Sequence, residues 1–147
     1  MSTLDRTLIA QLIPHQGSMS LLERVASWDA THIVALAATH RAPDHPLRSH
    51  GLLRAVHLCE YGAQAAALHG GLVARAAGTV AAPGYLVALR DVNFACTHIE
   101  DLEGDLQIHA ELLLQDGGSW QYRFAASHAG HSLADGRVAI IRRKVEG

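Results

Sequence analysis

Leu52-Leu53-Arg54-Ala55-Val56-His57-Leu58-Cys59-Glu60-Tyr61-Gly62-Ala63-Gln64-Ala65-Ala66-Ala67-Leu68-His69 decides the reading of this chain. It holds no proline and is long enough for about five helical turns. A surface helix carries one apolar stripe and a charged back, whereas this segment is apolar or small almost all round, as a buried helix is. Its alanines favour the helix and add little bulk, so neighbouring backbone can close in. One carboxylate, Glu60, stands inside it. An ionised carboxylate in apolar surroundings must be paired, hydrogen-bonded, partly wet or shifted in pKa. At helical spacing His57, Glu60 and Gln64 share one stripe, so Glu60 has polar company.

The remainder of the chain supplies what wraps such a helix. Residues 3 to 13 read as a short amphipathic helix, with Leu4, Leu8, Ile9 and Leu12 on one face and Pro14 ending it. Two strands follow, 19 to 28 and 32 to 39, joined through Asp29-Ala30-Thr31 as a hairpin. The loop of residues 40 to 51, with two prolines and three histidines, leads into the helix, which is expected to fade near Gly70-Gly71. After a break at residues 81 to 84 come four strand signals: 84 to 96, 105 to 115, 120 to 127 and 132 to 142. Asp116-Gly117-Gly118-Ser119 and His128-Ala129-Gly130-His131 are turns by their residue types. A curved antiparallel sheet wrapped around one long central helix satisfies this order, an α+β hotdog fold. A second subunit would cover what the sheet leaves open. No repeat, linker or low-complexity tract appears, so residues 1 to 147 read as one domain.

Composition narrows the function. The chain is 49% hydrophobic and 18% charged, as an ordinary globular protein is. A net charge of -2 gives no reason to expect nucleic acid or an anionic membrane as partner. No window approaches 18 consecutive apolar residues, so no membrane span is expected. The N-terminus lacks a basic stretch followed by an apolar run, and Cys59 and Cys96 form no CxxC pair; both features fit a cytoplasmic protein. The eleven histidines invite a metal reading, but none forms HExxH and no Cys/His set has zinc spacing. Neither a metal nor any other cofactor is expected.

Four blocks, in order, then carry a resemblance. Ile13-Pro14-His15 with Met19-Ser20-Leu21-Leu22-Glu23-Arg24-Val25 is similar to an "LPHR-YPFLLVDRV" block. His45-Pro46-Leu47 with Val56 to Gln64 is similar to "HFP…PGVLMIEAMAQ". Tyr85 to Phe94 with Glu103-Gly104-Asp105-Leu106 matches "FAGIDKARF…PGDQL", and Trp120 to Phe124 matches the "WKF" strand. Over nearly its whole length the chain resembles the β-hydroxyacyl-(acyl carrier protein) dehydratases of the FabZ and FabA type. The Glu-Tyr-x-Ala-Gln form of its helix looks closer to the divergent branch found in aryl polyene biosynthesis.

The resemblance implies dehydration of a 3-hydroxyacyl group held as a thioester on acyl carrier protein, giving the trans-2-enoyl product. It maps the catalytic histidine and acid onto His45 and Glu60, and the glutamine that orients the acid onto Gln64. Histidine suits removal of the α-proton near neutral pH, and a carboxylic acid suits protonation of the departing hydroxyl. The family's Pro-Gly before the helical valine is Arg54-Ala55 here, so the N–H of Ala55 is expected at the thioester carbonyl. His45 lies one residue further from the acid than the family pattern has it, which makes His50 a rival base. Family sites are shared between two subunits, which implies a homodimer or a heterodimer with a related hotdog subunit. Two other functions stay open: a hotdog acyl-thioesterase, and a non-catalytic subunit supporting an active dehydratase partner.

Overall fold

A computed structural model describes residues 5–12, 20–79 and 84–142. Ile13, Pro14, His15 and Met19 of the first resemblance block lie outside the described residues, as do the expected stop at Pro14 and most of the break before residue 84. The elements are α1 (Arg6–Leu12), β1 (Arg24–Trp28), β2 (His32–Ala37), α2 (Leu58–Ala76), β3 (Gly84–Phe94), β4 (Leu106–Asp116), β5 (Ser119–His128) and β6 (His131–Arg142). The six strands form one antiparallel sheet in the order β1-β2-β4-β5-β6-β3. Its inner face closes on α2, giving the hotdog architecture.

Small residues let the sheet come this close. Phe124 of β5 lies against Gly62, where an added Cβ would stand 2.5 Å from the ring. Ile108, Ala110, Tyr122, Phe124, Val138 and Ile140 point inward along alternate positions and are buried against the helix. The outer face of the same strands takes Gln107, Arg123 and Arg137. This period-two alternation is that of a sheet with one face in the core.

α2 runs five residues past the expected fade at Gly70-Gly71, to Ala76. Gly70 and Gly71 do not stop it, because Gly71 serves another purpose. The C-terminal end of α1 crosses there, and a Cβ on Gly71 would meet the Leu12 carbonyl at 3.0 Å. The helical start is also later than expected. Ala55–His57 form a 3-10 turn, and the regular helix begins at Leu58.

The turns follow their residue types. Asp29 Oδ1 accepts the Thr31 and His32 amides at 2.9 and 2.8 Å, which closes the β1–β2 hairpin. Ala129 and Gly130 both have positive φ, 50° and 82°, as a two-residue hairpin loop requires.

β3 is an edge strand of 11 residues, and most of its large apolar side chains are bare. Tyr85, Val87, Leu89 and Phe94 are 53%, 54%, 43% and 43% exposed. One of its edges pairs with β6, while the other has no strand beside it among the described residues.

Candidate active site

Gln64 is the middle member of a hydrogen-bond chain that starts in a distant segment. Its Oε1 accepts the Leu21 amide at 2.9 Å. With the oxygen fixed in this way, the amide nitrogen must face the other direction. There Nε2 donates to Glu60 Oε1 at 3.3 Å, one helical turn back. Gln64 is fully buried and Glu60 partly so. The carboxylate therefore sits in the first turn of α2, on the positive end of the helix dipole, with its orientation set by a buried amide.

His45 is held differently. It is buried at 5% exposure, and both ring nitrogens are engaged within the chain. Nδ1 accepts the Leu47 amide at 3.1 Å. Nε2 meets the Tyr61 hydroxyl at 3.1 Å, and that hydroxyl meets Thr39 Oγ1 at 2.8 Å. Thr39 spends its one proton on the Leu21 carbonyl at 2.7 Å, so Tyr61 donates to Thr39. The Tyr61 oxygen is then the acceptor, and His45 carries its proton on Nε2. Burial pushes the Tyr61 phenol up to about 12, so it stays neutral. Burial also pulls the His45 pKa down, helped by the positive charges of His57 and Arg48. Placed like this, His45 is a neutral imidazole with neither nitrogen open to substrate. An open cleft of about 490 Å³ adjoins it, lined by Arg6, Glu23, Thr39, Arg41 and Asp44.

The other expected positions divide. The Ala55 amide, expected at a thioester carbonyl, instead donates to the Thr97 carbonyl at 2.9 Å. The reason is a short clamp between two loops: the Ile99 amide also donates to the Leu53 carbonyl, and Arg54 bridges His98. His57 and Leu58 donate back to Arg54, Ala55 and Val56 carbonyls, which leaves Val56 as the remaining amide of this turn. His50 is exposed at the tip of a tight turn, with φ of 54° followed by 77° at Gly51. His57 forms no hydrogen bond to Glu60 and feels it only as a nearby charge.

Three further histidines are engaged within the fold. His40 is fully buried, its Nε2 donating to the Leu102 carbonyl at 2.7 Å, while Nδ1 has no partner among the described residues. His32 and His109 stack across β2 and β4 with ring nitrogens 3.0 Å apart. Sequence reasoning passed over Tyr61, Thr39 and the Leu21 amide. Tyr61 alone gave a signal, as a phenol inside an apolar helix that needs a partner for its hydroxyl.

The buried histidines make stability depend on pH. His40 and His45 are held below the ordinary 6.5, in both cases chiefly by burial. As pH falls through 6.5 the unfolded chain takes up protons that the folded one refuses, so stability is full above that pH and is lost below it. The melting temperature is expected to be higher at pH 7.5 than at pH 5.5. His45→Gln should flatten that slope, and an unchanged slope would remove His45 from the titration.

A curved antiparallel sheet closed on one long buried helix is the hotdog fold, and here that helix presents a carboxylate oriented by a buried amide. The family model described as "ApeP-like: ApeP dehydratase" matches residues 7–146. The chain belongs to the ApeP-like dehydratase family. Against curated proteins the sequence finds no match. Among solved structures it is similar to the dehydratase heterocomplex ApeI:P from Xenorhabdus doucetiae, at 24% identity and a TM-score of 0.84, covering 92% of this chain and 91% of that one. AziG from S. sahachiroi gives 16% identity and 0.62, over 86% and 94% of the two chains. A hypothetical thioesterase with coenzyme A from Streptococcus pneumoniae TIGR4 gives 12% and 0.58, over 84% and 87%. At these identities the structures speak for the fold, and the dehydratase role rests on the family. Within the described residues no helix is long and apolar enough to cross a membrane.

Proposed function

We propose that the chain takes part in dehydrating a 3-hydroxyacyl group held as a thioester on acyl carrier protein, with Glu60 as the acid that protonates the leaving hydroxyl. The observation that carries this reading is the buried Leu21–Gln64–Glu60 chain of hydrogen bonds, which aims one carboxylate from an otherwise apolar helix. Electrostatic help for the developing enolate oxygen would come from the helix N-terminus, where the Val56 amide replaces the engaged amide of Ala55. The acyl group, aliphatic or aryl, would reach Glu60 past a second subunit laid on the bare β3 edge.

On this reading His45 is the base only if its ring leaves Tyr61. The engaged ring favours a second assignment: this chain supplies the acid half of the site, and a related hotdog subunit supplies the histidine. A homodimer would then lack an open base, unless His50 provides it. Of the two other readings, hydrolysis of the thioester has no feature here that favours it over dehydration, and a wholly non-catalytic subunit would leave the oriented Glu60 without a use.

Hydration of a 2-enoyl thioester on carrier protein, followed with the chain alone and then with a related hotdog subunit, separates these assignments. If His45 is the base, His45→Ala lowers the rate by about 10²–10⁴ in either assembly. With a partner's histidine at work, the chain is inactive alone, and His45→Ala lowers only its stability. Loss on His50→Ala would pass the role to that residue. Free thiol released in place of hydration would overturn the dehydratase reading.

A further inference from the structure

The loop between β3 and β4 brings together three metal-ligating side chains that the dehydration site does not use. His98 Nδ1 lies 2.7 Å from Glu100 Oε2 and 3.8 Å from Asp101 Oδ1. One ligand atom from each residue falls within 4.8 Å of the others, so a small contraction of the side chains would bring all three onto one ion. The set offers one imidazole and two carboxylates, a mixture that suits zinc and similar transition ions better than calcium or magnesium, which prefer oxygen throughout.

Glu100 sets this group apart from a chance surface cluster. Its side chain is only 9% exposed, and Oε1 has no hydrogen-bond partner among the described residues. The amides of Leu53 and of Glu100 itself lie close by, but neither makes a well-directed bond to that oxygen. A buried carboxylate left half-satisfied asks for a cation. The backbone around it is already fixed: Thr97, His98 and Ile99 form the clamp on Leu53, Arg54 and Ala55. His98 remains 41% exposed, so solvent can complete the coordination.

We propose that His98, Glu100 and Asp101 form a site for a divalent transition-metal ion of the zinc type. The ion would tie the β3–β4 loop together from the side facing the start of α2. It would brace the segment that leads into Glu60 without entering the chemistry. The spacing His-x-Glu-Asp matches none of the zinc patterns sought in the sequence, since the loop's curvature and not its register gathers the ligands.

Calorimetric titration of the untagged, metal-free chain with zinc chloride, and separately with magnesium chloride, tests this. One zinc per chain should bind saturably and raise the melting temperature, because a ligand for the folded state stabilises it. Magnesium should do neither. His98→Ala and Asp101→Asn, both at accessible positions, should each weaken zinc by more than the roughly 10–100-fold that follows loss of a group merely supporting a ligand. His131→Ala, a surface histidine on β6, should bind as the unaltered chain does. Absence of saturable binding below about 100 µM, where roughly 5 kcal/mol of binding energy is already required, would overturn the site. So would equal binding by the His98 and Asp101 variants, which would assign the zinc to other surface histidines.

Discussion

Glu60→Gln is expected to lower turnover by about 10²–10⁴ or more in whichever assembly hydrates the 2-enoyl thioester, while the chain still folds. Glutamine keeps the shape of the side chain and an oxygen for Gln64 Nε2 to donate to, so the buried hydrogen-bond chain from Leu21 survives. What disappears is a group that can give up or hold a proton. Stability should change little, since the carboxylate was partly exposed and its replacement fits the same space. Thermal melts and steady-state rates on the same preparation decide the matter. Near-normal turnover in a markedly destabilised variant would make Glu60 a structural residue and end the assignment. Gln64→Leu offers a companion test: with the carboxylate untethered, the rate should fall less than in Glu60→Gln.

Gly62→Ala should be the most damaging single methyl in the chain. The new Cβ would stand 2.5, 2.7 and 2.9 Å from three atoms of the Phe124 side chain, all inside contact distance. Phe124 cannot retreat, because its ring also meets Gly136, where a Cβ would be 3.0 Å from Cε1. Helix and sheet would have to part, at a cost near the upper end of about 1–3 kcal/mol for overpacking. For a chain of this size that is a fall in melting temperature of roughly 5–12 °C. Alanine is otherwise the better helix former, so a stabilised Gly62→Ala would show that the helix and β5 are not this close. Pairing it with Phe124→Leu should recover part of the loss, as contacting residues couple.

The buried helix and the strands around it were legible because their signals are local. The alanine-rich run and the alternation of β4 and β5 announce themselves within a dozen residues, and so does the Glu60–Gln64 spacing. Functions that depend on a distant partner were not legible. Gly71 looked like a helix stop because α1, whose Leu12 carbonyl crosses there, lies some sixty residues earlier in the chain. Ala55 looked like a free amide because Thr97, which takes it, lies beyond the whole of α2 and β3. His45 was visible as a candidate, but its engagement by Tyr61 and Thr39 depends on separations of 16 and 22 residues and on a proton count along four groups. Single-residue chemistry could be read from the chain; the availability of each group could not.

The bare edge of β3 has a consequence for the cell that makes this protein. β3 is eleven residues long, and the edge it turns away from β6 is unpaired among the described residues; studded with Tyr85, Val87, Leu89 and Phe94, it forms a template on which a loose strand can add. If a second subunit lies on this edge, as proposed, a chain in excess of that subunit is a seed for aggregation, and an orphan copy a target for proteolysis. Under that proposal dosage becomes part of the design: overproduction by itself should yield insoluble material that co-production of the second hotdog subunit rescues.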